Sequence, residues 1–77
     1  MNKERRKNLQ SIADQLEELM GSLKELRDEE DEYRENIPES MQGGERYEQS
    51  EEASGSMDEA IDSIQAAIDS IGEAVGE

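Results

Sequence analysis

Residues 36–44 read "NIPESMQGG", and this stretch decides the fold, because without an interruption here the flanking patterns would merge into one long helix. Pro38 has no N–H to donate and disfavours helical geometry at Ile37 before it. Gln42, Gly43 and Gly44 then supply the permissive backbone that a reversal needs. The stretch predicts that the chain folds back on itself, with the turn over residues 37–44.

Two heptad seams flank that turn. Before it, apolar residues recur at alternating steps of three and four: Leu9, Ile12, Leu16, Leu19, Leu23, Leu26, then Tyr33 and Ile37, with Glu30 in the slot between. After it, Tyr47, Met57, Ile61, Ile64, Ile68, Ile71 and Val75 keep the alternation, with Ser50 and Ser54 in the intervening slots. A stripe sustained for about four heptads is an a/d coiled-coil pattern and sets this chain apart from a disordered polyacid. At ~1.5 Å rise per residue, helix one over 3–36 would run about 50 Å, and helix two over 45–75 nearly as far. Matched lengths around a reversal predict an all-α, coiled-coil-like antiparallel helical hairpin, a single domain over residues 1–77. Pairing sets Ile37 near Tyr47, Leu23 near Ile61 and Leu9 near Val75, and the sequence leaves a half-heptad slip open.

Helix two carries a candidate break at 54–56. Gly55, like Gly21 in helix one, costs roughly 1 kcal/mol relative to Ala inside a helix. Ser56 with Glu59 three residues on forms a capping-box pattern, so a restart at Met57 would leave 45–54 as a separate short segment. Beside the second seam Ala53, Ala60, Ala67 and Ala74 recur every seven residues, and Ala13 and Met20 flank the first. A stripe that wide suits more than one neighbour. Small scaffolds without disulfides or metal commonly need oligomerisation, so the expectation is a homodimeric four-helix bundle. A different protein docking on the exposed flank is the rival.

With 77 residues, the core is thin, since such a domain buries only about 60% of its unfolded surface. Phe, Trp, Cys and His are absent, which removes disulfides, thiolate chemistry, an imidazole base and the usual zinc ligands. The expectation is a protein that is not an enzyme and carries no cofactor. No continuous apolar run suggests a signal peptide or membrane span, and the default expectation is cytoplasmic.

The net charge of −14 opposes binding to nucleic acid or anionic lipid and favours a basic partner surface. Helix one begins with Lys3, Arg5, Arg6 and Lys7 and ends with Asp28, Glu29, Glu30, Asp31 and Glu32, the reverse of what the helix dipole favours. In a hairpin the basic start lies beside Asp69, Glu73 and Glu77, which would compensate it. The other end has no such relief: residues 28–59 hold 13 acids against Arg34 and Arg46, a net of −11. Folded back, that is about one charge per 2 Å of hairpin, against one per ~1.7 Å of duplex DNA. Asp28, Glu29, Asp31, Glu32, Glu35, Glu39, Glu45, Glu48, Glu51, Glu52, Asp58 and Glu59 are the candidate partner-binding surface. Because the seam also turns polar there, Ile at positions 50 and 54 is expected to stabilise the fold while weakening function.

Other motifs fail on their own terms. Glu29-x-x-Glu32 and Glu59-x-x-Asp62 match the carboxylate pattern of magnesium-dependent all-α nucleotide pyrophosphohydrolases, but they fall at heptad positions g, c, f and b and do not converge on the seam. Asp28 to Glu39 has acids at the first, third, fifth and twelfth positions of a calcium loop, yet Tyr33 stands where the turn needs Gly, and Pro38 lies inside. Gly43-Gly44 lacks the lysine and spacing of a phosphate loop.

The stretch "NIPESMQGGERYEQSEEA" followed by "MDEAIDSIQAAIDSI", after a basic leader "KERRK", resembles small acidic helical proteins encoded by phages and prophages of Gram-positive bacteria. The resemblance implies an accessory phage product acting by stoichiometric binding to a host defence protein, with an acidic, DNA-mimic-like surface, in the host cytoplasm. A structural or assembly hairpin acting through its Ala/Ile stripe is the alternative.

Overall fold

The computed structural model describes residues 1–76 and contains two long helices, α1 (Lys3–Glu35) and α2 (Glu45–Gly76), joined by a turn that includes a short 3-10 segment, Glu39–Met41. The helices pack antiparallel into a rod of 60 × 14 × 12 Å, an all-α helical hairpin.

Local chemistry sets the boundaries. The Asn2 side-chain oxygen accepts the Arg5 N–H at 2.7 Å and caps one of the free donors at the start of α1. At the other end the Asn36 N–H reaches Glu32 O at 3.1 Å and the Ile37 N–H reaches Arg34 O at 3.1 Å; Pro38 then stops the ladder with an extended ψ of 142°. The Met41 N–H closes onto Pro38 O at 2.8 Å and the Gly44 N–H onto Met41 O at 3.1 Å. None of the described residues has a positive φ, so the reversal does not use the left-handed freedom of its glycines. Gly44 matters for another reason: a Cβ there would stand 3.2 Å from Met41 O.

Helix α2 is continuous through 54–56, and the Ser56 capping pattern goes unused. A short helix ending at Ser54 would give up packing of both Ser50 and Ser54, which are buried. That gain outweighs the roughly 1 kcal/mol cost of a helical glycine. Asp28 to Glu35 likewise lies within α1, which removes any calcium-loop geometry.

Arg34 meets Ser50 and Ser54, and Arg27 meets Asp58, which sets Leu23 level with Ile61 and resolves the register. On α2 the seam runs through Tyr47, Ser50, Ser54, Met57, Ile61, Ile64, Ile68, Ile71 and Val75, all at least half-buried. On α1 the seam differs from the expected one. Its covered positions are Arg6, Leu9, Ala13, Leu16, Met20, Leu23, Arg27, Glu30, Asp31 and Arg34, with Ile37 covered just beyond the helix, so Leu9, Leu16 and Leu23 keep their place while Ala13 and Met20 replace Ile12 and Leu19. The expected seam residues Ile12, Leu19, Leu26 and Tyr33 are 48%, 62%, 56% and 47% exposed. The physical reason is that α1 carries more apolar rows than one helical neighbour can cover. The second helix covers two of them, and the row seven residues apart is left outside.

Candidate interaction surface

With Arg6 assigned to a and Leu9 to d on α1, and Tyr47 to a and Ser50 to d on α2, every acid of the two helices except Glu29 and Glu30 falls at b, e or f. The g positions hold Ile12, Leu19, Leu26 and Tyr33 on α1, and Ala53, Ala60, Ala67 and Ala74 on α2, with Arg5 and Arg46 at the first g position of each helix. In an antiparallel pair the g rows of both helices flank the same side of the seam. The hairpin is therefore two-sided, with one apolar face and carboxylates over the rest.

At the turn end the seam itself is polar, and it is built around Arg34. Its guanidinium donates to Ser54 Oγ at 2.8 Å, Asp31 Oδ1 at 2.9 Å and Ser50 O at 3.2 Å. Ser54 Oγ donates to Asp31 Oδ1 at 2.7 Å, and Ser50 Oγ donates to Glu30 Oε2 at 2.6 Å. The hydrogen bond from Ser54, reinforced by Arg34, holds the Asp31 carboxyl below its ordinary pKa against the opposing effect of burial. About two turns back along α1, Arg27 bridges Asp58 at 2.8 Å and Asp28 at 3.2 Å. Ser50 and Ser54 are thus occupied polar positions, not gaps awaiting isoleucine, and the expectation that Ile would stabilise the fold there is withdrawn.

This network sorts the twelve candidate acids. Asp28, Asp31 and Asp58 are engaged by Arg27 and Arg34. Glu29, Glu32, Glu35, Glu39, Glu45, Glu48, Glu51, Glu52 and Glu59 are exposed and form no ion pair among the described residues. At the opposite end no ion pair joins Lys3, Arg5, Arg6 or Lys7 to Asp69 or Glu73 among the described residues; Glu77 lies outside them. Arg6 enters the seam with a buried Nε that has no hydrogen-bond partner.

The acids of the pyrophosphohydrolase-like pattern stay apart: in the observed register Glu29 and Glu32 fall at c and f, and Glu59 and Asp62 at f and b. Among the described residues no three acids converge to hold a metal ion, and no helix is long and apolar enough to cross a membrane.

The apolar face ends in an open cleft of about 640 Å³ at the turn, lined by Tyr33, Ile37, Pro38, Met41 and Arg46 among others. Sequence reading missed the cleft, the outward apolar row and the Arg34 network. A usable signal existed for the last: Arg34 stands level with the serines that replace isoleucine on α2, and Arg27, seven residues before it, stands level with Asp58. Compared with protein-family models, curated proteins and solved structures, the chain gives no significant match.

Proposed function

We propose that this protein is a non-enzymatic interaction module that docks its acidic outer surface on a basic surface of a partner protein. The observation that carries this reading is the partition of charge. Nine of the twelve candidate carboxylates stand exposed without an ion pair among the described residues, while Arg27 and Arg34 are drawn into the seam and Arg46 is the one arginine of residues 28–59 left exposed. Such an array attracts a basic groove over long range and favours fast, salt-sensitive association. The resemblance to phage-encoded proteins directs the proposal to a host defence factor whose groove ordinarily holds nucleic acid, with the acidic end acting as a DNA mimic.

Lysine substitution at Glu48, Glu51 and Glu52 tests it. These side chains are exposed, so the hairpin is retained while binding to the captured partner is lost. Raising salt to about 0.5 M, where the Debye length falls to roughly 4 Å, weakens the native complex. Undiminished binding under either change rejects the acidic-surface reading.

A second reading is favoured by the exposed row Ile12, Leu19, Leu26 and Tyr33: hairpins assemble through their apolar faces into a homodimeric four-helix bundle. The two readings use different faces and are compatible.

A further inference from the structure

We infer that two hairpins pair apolar face to apolar face and head to tail, so that α1 of one copy runs against α1 of the other and the two acidic turns lie at opposite poles. The inference rests on the assembly reading and adds the occupant, its orientation and its register.

Area argues for a second copy. The chain exposes 5803 Å², whereas a compact monomer of 8.7 kDa exposes about 4,700 Å². The side of the rod that holds this face measures 60 × 14 Å, so a second copy laid along its whole length covers roughly 800 Å², the standard contribution to a stable interface, with the row from Ile12 to Tyr33 as its apolar centre. The chemistry of the face agrees. The large row and the alanine row lie at matched heights, Leu19 beside Ala67 and Leu26 beside Ala60, so a two-fold copy meets layers of equal volume. The adjoining c positions are Asn8, Gln15, Ser22, Glu29, Gln49, Ser56, Ser63 and Ser70, neutral but for Glu29. Charge-depleted surface around an apolar centre is the composition of an interface, and this one carries little charge for an oppositely charged protein to read.

Charge sets the orientation. The turn half, residues 28–59, carries −11 of the total −14, which leaves −3 for the open half. Pairing with both turns at one end sets −11 against −11 and −3 against −3. Head-to-tail pairing sets −11 against −3 twice, which roughly halves the repulsion if it scales with the product of facing charges. When the rows overlap fully, Leu19 meets Leu26 of the second copy and Ile12 meets its Tyr33, while the two alanine rows approach closely. The assembly then presents an acidic end at each pole and takes two basic partners.

The chain has no cysteine, so single-cysteine variants read the register cleanly. An oxidised mixture of Leu19→Cys and Leu26→Cys chains is expected to give a mixed disulfide dimer in high yield, and a mixture of Leu19→Cys and Ala67→Cys chains little. The reverse pattern overturns the head-to-tail orientation and leaves the assembly reading standing. Light scattering on the native chain is expected to give twice the chain mass; a monomer at every concentration up to millimolar overturns both. Leu19→Glu with Leu26→Glu is expected to halve that mass, and a dimer that persists in this variant places the interface elsewhere and rejects the proposal. The cysteine pattern decides orientation even if the glutamate variant fails to fold.

Discussion

Replacing Ser54 with isoleucine would complete the apolar heptad of α2, and the structure says it destabilises the hairpin. Ser54 Oγ donates to Asp31 at 2.7 Å and accepts from Arg34 at 2.8 Å. Hydrogen bonds to charged groups contribute about 1.5–3 kcal/mol each. Because the Arg34 and Asp31 side chains keep 19% and 37% exposure, water replaces part of the loss, and Ser54→Ala is expected to cost about 1–2 kcal/mol. Isoleucine would recover up to roughly 1.5–3 kcal/mol by burial if space existed. Ser54 is 6% exposed and Ser50 3%, so the extra methyl groups must displace the Arg34 guanidinium, an overpacking cost of about 1–3 kcal/mol. Net destabilisation of about 1–3 kcal/mol for Ser54→Ile follows, and somewhat more for the variant that also carries Ser50→Ile. At about 4–8 °C per kcal/mol for a chain of this size, the melting temperature falls by roughly 5–20 °C. Helicity followed through thermal and urea unfolding at one fixed chain concentration measures it. A higher midpoint for the doubly substituted chain would refute the network as the element that holds the turn end.

Two further outcomes come from the same geometry. Gly21 and Gly55 lie inside helices with nothing within 4 Å of an added Cβ; Gly21→Ala and Gly55→Ala are each expected to stabilise by about 0.5–1 kcal/mol, read as a raised urea midpoint. The folded-state pKa of Asp31 is lowered, so its contribution is fully present above the ordinary carboxylate value of ~3.9 and is lost as pH falls through the lower folded value. The stability gap between the native chain and Asp31→Asn is therefore expected to narrow from neutral pH to below about pH 4, and a gap that widens instead would contradict the assigned hydrogen bonds.

The hairpin was legible because period and punctuation are properties of the chain alone: the three-four alternation on either side of Pro38 needs no tertiary knowledge. The α2 seam was legible for the same reason, since its isoleucines form a single row pair. On α1 the sequence offers three apolar rows, and hydrophobicity ranks Ile12, Leu19 and Leu26 above Ala13 and Met20. Which two rows face the partner helix is set by what that helix presents at the turn end, where Ser50 and Ser54 can satisfy Arg34 but would leave Tyr33 packed against hydroxyls. Residues 33 and 34 compete for one place, and the buried hydrogen bonds decide it. That choice rotates the whole helix by about 50°, half the angle between successive residues, so a polar contact near Arg34 determines that Ile12, about six turns away, lies outside.

The same contact explains why so acidic an end can hold together. Residues 28–59 crowd 13 acids into one half of the rod, and outward cations would relieve the repulsion only by neutralising the surface. Arg27 and Arg34 relieve it from the inside. Their stems lie in the seam, and their guanidinium groups engage Asp28, Asp58 and Asp31. The outer glutamates stay unpaired while the field they fold against is reduced. An isoleucine seam would raise apolar burial but take the Ser54 hydroxyl acceptor from Arg34 and crowd its guanidinium, pushing it out onto the acidic surface it now spares. Serine at 50 and 54 is thus the condition under which one short hairpin has a stable turn end and a carboxylate surface open to a basic partner.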